Sequence, residues 1–103
     1  MENKENVYNK LKKVINQPDY DLGDYMNLVA VAMEITEKIV SGTGAAKKVI
    51  VMAVVNDIVT ESNSDLMKKI LTPPTISNLI EVIIKANKGF YIINKVKRRF
   101  CCL

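Results

Sequence analysis

Apolar residues recur every three or four positions along most of the chain, which is the spacing of one face of an α-helix. The first such segment predicts a helix over residues 3–16, capped by Asn3. Pro18 and Gly23 interrupt the pattern before a second helix, predicted from residue 24 or 25 to residue 41. The apolar stripe of this second helix consists of Leu28, Val29, Ala32, Ile35, Ile39 and Val40.

A third helix is predicted between Gly42, which should end the second helix, and Glu61, with Thr43 as its N-cap. Its helical repeat consists of Val49, Ile50, Ala53, Val54 and Ile58. Because the segment is apolar around most of its circumference, we expect it to lie at the centre of the fold. β-Branched residues dominate positions 49–55, so a strand is the competing prediction, and the length of the segment favours a helix.

Two further helices are predicted before the chain becomes basic. Ser64 should cap a short helix over residues 65–71, whose apolar residues are Leu66, Met67, Ile70 and Leu71. The last helix should cover residues 74–87 and stop at Gly89. Its buried side should consist of Ile76, Leu79, Ile80, Ile83 and Ile84. The apolar residues 90–93 are expected to lie extended against the helices.

These elements predict an all-α fold, a compact bundle of four or five short helices with an extended basic C-terminal tail. A chain of 103 residues is long enough for one hydrophobic core. We therefore expect one helical domain at residues 1–93 and a basic, cysteine-containing tail at residues 94–103.

Several classes of protein are excluded at this point. The apolar runs are much shorter than the roughly 20 residues that span a bilayer. The first residues also lack the basic and then apolar pattern of a signal peptide, so we expect an intracellular protein that is not secreted. Cys101 and Cys102 are adjacent, and adjacent cysteines cannot join distant parts of one chain by disulfides.

The residue types present also argue against catalysis. The chain contains no histidine, which removes the usual general base near neutral pH and the commonest metal ligand. Glu34 and Glu37 are three residues apart, but a solvated helix face explains them better than a catalytic pair. Residues 41–48 place glycines before a helix and lysines after its start, yet the glycines are too close together for a phosphate-binding loop. We expect no enzyme activity, no cofactor, no metal site and no small-molecule substrate.

Positive charge is concentrated at the end of the chain. The net charge is +4, and residues 88–103 contain five basic side chains and no acidic one. The side chains predicted to contact a membrane or phosphate groups are Lys95, Lys97, Arg98, Arg99 and Phe100. Cys101 and Cys102 are candidates for S-acylation, because an acyl chain together with a polybasic segment anchors a protein stably.

The tail also permits other interpretations. A solvated end needs no partner at all. Contact with a nucleic-acid backbone would use the same four or five charges and would be weak and sensitive to salt. A metal site or an intermolecular disulfide built from the two cysteines would need a second chain. A prenylation box is excluded because it needs a cysteine four residues from the end, whereas Cys101 is third.

Four short segments and the end of the chain follow one another in an order that resembles a known group of proteins. They are residues 32–35, 44–49, 79–81 and 88–89, followed by the basic, cysteine-bearing end. From residue 26 to residue 103 this order resembles small, uncharacterised helical proteins of nucleocytoplasmic large DNA viruses. The resemblance implies a viral, virion-associated setting and no particular activity, because that group has no assigned chemistry.

The sequence therefore predicts a non-catalytic accessory or structural interaction protein that attaches peripherally to a membrane through its tail. The alternative is a small nucleic-acid-associated protein that binds the phosphate backbone through the same tail. We also expect a protein partner. The third and fifth helices are apolar over more than one stripe, so that partner could be a second copy of the chain.

Overall fold

A computed structural model describes residues 2–90 of the chain, and the side chains of residues 3–86. It contains the α-helices α1 (Glu2–Ile15), α2 (Tyr25–Ile39), α3 (Gly44–Glu61), α4 (Asp65–Ile70) and α5 (Pro73–Phe90). Within these residues there is no strand. The predicted all-α bundle is therefore confirmed, and the competing strand at residues 49–55 is wrong.

Side-chain caps fix where three of the helices begin. The caps are Asp24, Thr43 and Ser64, each of which accepts the backbone N–H three residues further on, at 3.0, 3.1 and 3.1 Å. These N–H groups lie in the first turn of a helix, where no helical carbonyl can reach them. The three predicted starts are confirmed.

Three helix boundaries in the first half of the chain differ from the prediction, and the smallest difference is that α1 ends at Ile15 instead of residue 16. α1 begins at Glu2, so the predicted cap Asn3 lies inside its first turn. α2 ends at Ile39, two residues early, and the extended residue Val40 forms its C-cap by donating its N–H to Thr36. The helix therefore ends before it reaches Gly42.

Gly42 has a different role, in the connection between α2 and α3. Its φ angle is +140°, a conformation that residues with a Cβ rarely adopt. A Cβ built there would meet nothing within 4 Å. The backbone conformation, and not lack of space, requires glycine at this position.

The last helix is longer than predicted at both ends. α5 begins at Pro73 and passes through the predicted stop Gly89 to Phe90. A glycine inside a helix costs only about 1 kcal/mol relative to alanine, which alone does not end a helix. Phe90, predicted to be extended, is helical; residues 91–93, for which the same prediction was made, lie outside the described residues.

The core is formed by all five helices, with α3 in contact with each of the other four. The predicted central position of α3 is confirmed. The buried apolar residues are Val7, Leu11, Leu28, Val29, Ala32, Val40, Val51, Val54, Val55, Ile58, Val59, Met67, Leu71, Ile76 and Ile80.

Two helices bury different residues from those predicted. α3 buries an inner side made of Val51, Val54, Val55, Ile58 and Val59, whereas the predicted core residue Val49 is 67% exposed. Of the apolar residues predicted for the short helix, Met67 and the C-cap residue Leu71 are buried, but Leu66 and Ile70 are 62% and 41% exposed. Both segments are apolar on more than one side, so spacing alone could not decide which side would meet the neighbouring helices.

Contacts between helices define their directions. Lys4 on α1 pairs with Asp57 on α3, and one turn later Tyr8 donates a hydrogen bond to Glu61. Because both positions advance together, α1 and α3 run parallel, and α2 between them runs the opposite way. α5 starts beyond the end of α3, and its Glu81 reaches Lys48 near the beginning of α3. α5 therefore runs back along α3.

Candidate interaction surfaces

The residues predicted to contact a membrane, phosphate or an acyl group all lie outside the described residues. They are Lys95, Lys97, Arg98, Arg99, Phe100, Cys101 and Cys102. The structure does establish the charge and the geometry of the helices to which this tail is joined. The charge and the geometry of the helices therefore bear on the role that the tail can have.

Charge separates sharply between the helices and the tail. Residues 2–90 contain 11 basic and 11 acidic side chains, whereas residues 91–103 contain four basic side chains and no acidic one. The described helices are therefore neutral as a whole. The entire net charge of +4 belongs to the last 13 residues.

The connections at the two ends of the bundle also differ in charge. The connection between α1 and α2 contains Asp19, Asp21 and Asp24, and it lies at the same end as Glu61, because α1 and α3 run parallel. α5 ends at the opposite end, about 13 Å of helix beyond Glu81. The connection between α2 and α3, residues 40–46, lies at that same end and contains no charged side chain.

All four charged side chains of α3 are paired with neighbouring helices. Its first half pairs Lys47 with Glu37 of α2 at 2.9 Å and Lys48 with Glu81 of α5 at 3.0 Å. Its second half pairs Asp57 with Lys4 at 3.0 Å and Glu61 with Lys12 at 3.6 Å, both on α1. The charges of α3 thus lie on its flanks and connect it to three other helices.

Between those flanks, α3 presents an outward side without charge. This outer stripe consists of Ala45, Val49, Met52, Asn56 and Thr60, which follow one another at intervals of three and four residues. Met52 is half-buried and the other four are exposed. The hydroxyl of Thr60 donates to the Asn56 carbonyl at 2.9 Å, so its hydrogen bond is made within the helix.

The glycine-containing segment 41–48 does not form a phosphate-binding loop. The Thr43 hydroxyl already accepts the N–H of Ala46 at the start of α3. Lys47 and Lys48 are directed to carboxylates on α2 and α5. A helix cap followed by two interhelical ion pairs accounts for these residues. The cap was predicted from the sequence, and the ion pairs were not.

Glu34 and Glu37 have separate partners. Glu34 lies 3.7 Å from Lys38 one turn further along α2, and Glu37 lies 2.9 Å from Lys47 of α3. Both carboxylates are exposed. This is the solvated helix face that the spacing predicted.

The contact between Tyr8 and Glu61 was not predicted from the sequence. The Tyr8 hydroxyl donates to Glu61, and Lys12 lies beside the same carboxylate. The hydrogen bond, with partial desolvation and the negative charges of Glu61 and Asp57, raises the pKa of Tyr8 to about 12. The two residues are 53 positions apart, so only the packing of α1 against α3 brings them together.

Tyr20, between α1 and α2, has a hydroxyl that is buried and finds no hydrogen-bond partner among the described residues. Burial raises the pKa of this hydroxyl, and the nearby carboxylates of Asp24 and Asp21 act in the same direction. The Tyr20 side chain as a whole is half-buried.

Within the part of the chain that the structure describes, no three Asp, Glu, Cys or His side chains are grouped so that they could hold a metal ion. Of the helices α1 to α5, none combines the length and the apolar character needed to cross a membrane.

Comparison with known proteins returns no significant similarity to any protein family, curated protein or solved structure. The fold itself therefore defines the class of this protein, which is a small all-α helical bundle.

Proposed function

We propose that this protein is a non-catalytic accessory or structural interaction protein that attaches peripherally to an anionic membrane through its basic, cysteine-containing tail. The helical bundle makes protein contacts, and the tail supplies the attachment. The resemblance to small proteins of large DNA viruses extends the proposal to a virion-associated, intracellular setting.

The observation that carries this proposal is the separation of charge. A neutral bundle has no long-range attraction to an anionic surface, whereas four basic residues gain about 1 kcal/mol each beside one. Phe100 and Leu103 add apolar side chains, and acylation of Cys101 or Cys102 would add the second signal that stable anchoring needs.

The geometry of the bundle also supports attachment to a membrane at the end of the bundle where α5 ends. α5 ends beside the connection 40–46, which contains no acidic side chain that would repel an anionic surface. The acidic connection between α1 and α2 lies at the far end. Repulsion between its carboxylates and the surface is therefore small, because it is screened over about 8 Å at physiological salt.

The test is flotation of the purified full chain with liposomes that contain phosphatidylserine, across a salt series. We expect the full chain to float at low salt and to be released at high salt, and a chain that ends at Asn94 to stay at the bottom. Neutral phosphatidylcholine liposomes should not carry either protein. Failure of the full chain to float at low salt would contradict membrane attachment by the unmodified tail.

Two sets of substitutions separate charge from apolar insertion. Neutralising the four basic tail residues to glutamine should abolish flotation, while replacing Phe100 and Leu103 by serine should weaken it. The matched control neutralises four exposed lysines of the bundle, Lys10, Lys13, Lys68 and Lys69, and should float as well as the unaltered chain.

The same proteins address the nucleic-acid alternative. Phosphate binding depends on the four charges alone, so it would survive replacement of Phe100 and Leu103. Salt-sensitive binding to a mixed-sequence DNA duplex, without flotation on anionic liposomes, would replace the membrane proposal by the nucleic-acid one.

A further inference from the structure

We draw no further inference here: the strongest candidate, the uncharged outer stripe of α3 that exposes Val49, carries nothing because the charged flanks of α3 are paired within the chain and nothing in the structure shows what covers the stripe.

Discussion

The two sides of α3 are both uncharged, yet one is buried and the other exposed. The inner side, centred on Val54 and Ile58, is buried in the core, whereas the outer stripe is exposed apart from Met52, which is half-buried and packs against the core. The difference shows that absence of charge along a helix does not by itself identify its core side. Stability should therefore reside in the inner side, and the outer stripe should contribute little to it.

The strongest test of the difference between the two sides of α3 is to truncate one β-branched apolar side chain on each of them. Ile58 is 3% exposed, so Ile58→Ala should lower the free energy of unfolding by about 2–5 kcal/mol through lost burial and a cavity. Val49→Ala should change it by no more than about 0.5 kcal/mol. Denaturant unfolding at a low protein concentration measures both, and equal losses would mean that the two sides are not distinct.

The start of α3 offers a smaller effect. Thr43→Ala removes the oxygen that accepts the Ala46 N–H and should cost about 1 kcal/mol of stability. Thr43→Ser retains that oxygen and serves as the control, with a change near zero. If both substitutions cost the same in thermal or denaturant unfolding, the cap contributes nothing and α3 is held only by its inner side.

The stability contributed by the contact between α3 and α1 should depend on pH. Because the pKa of Tyr8 in the folded protein is raised to about 12, the folded state favours the protonated hydroxyl. This contribution to stability is complete below pH 10, the ordinary tyrosine value, and is lost as the pH rises from about 10 to about 12. Unfolding at several pH values should show a steeper decline for the unaltered chain than for Tyr8→Phe, and parallel declines would refute the assignment.

The smallest effect is expected at the flank toward α5. Lys48 and Glu81 form a partly exposed ion pair, and such pairs contribute about 0.2–1 kcal/mol. A double-mutant cycle with Lys48→Gln and Glu81→Gln should give a coupling energy in that range, reduced by salt. Coupling well above it would mean that this pair, rather than the inner side, fixes α5 on α3.

Most of the fold could be predicted from the sequence because its signals are local. Helical spacing and the caps Thr43 and Ser64 depend only on neighbouring residues, and they locate α3 and α4 correctly. The side of α3 that faces the core could not be predicted, because apolar residues lie around most of its circumference. Packing against the neighbouring helices buries Val51 and leaves Val49 exposed. Gly89 illustrates another limit, because a weak local preference was taken for a helix end.

The interaction surfaces were less predictable than the fold. The tail charges are visible in the sequence, and their membrane role remains a prediction because those residues lie outside the described part of the chain. The ion pairs of Lys47, Lys48 and Asp57 join residues on different helices, so the sequence contains no signal for them. The outer stripe became recognisable only once these pairs accounted for every charge on α3.

A helix built from strand-forming residues has a consequence when the protein unfolds. Residues 49–55 are seven consecutive residues without charge, proline or glycine, and in an unfolded chain they have the composition of a segment that stacks into cross-β aggregates. Lys47, Lys48 and Asp57, which pair with other helices in the folded state, then flank this segment and oppose its stacking by repulsion. The native bundle thus keeps its most aggregation-prone segment in helical form, and heating the protein at high concentration should end in irreversible precipitation rather than in a reversible transition.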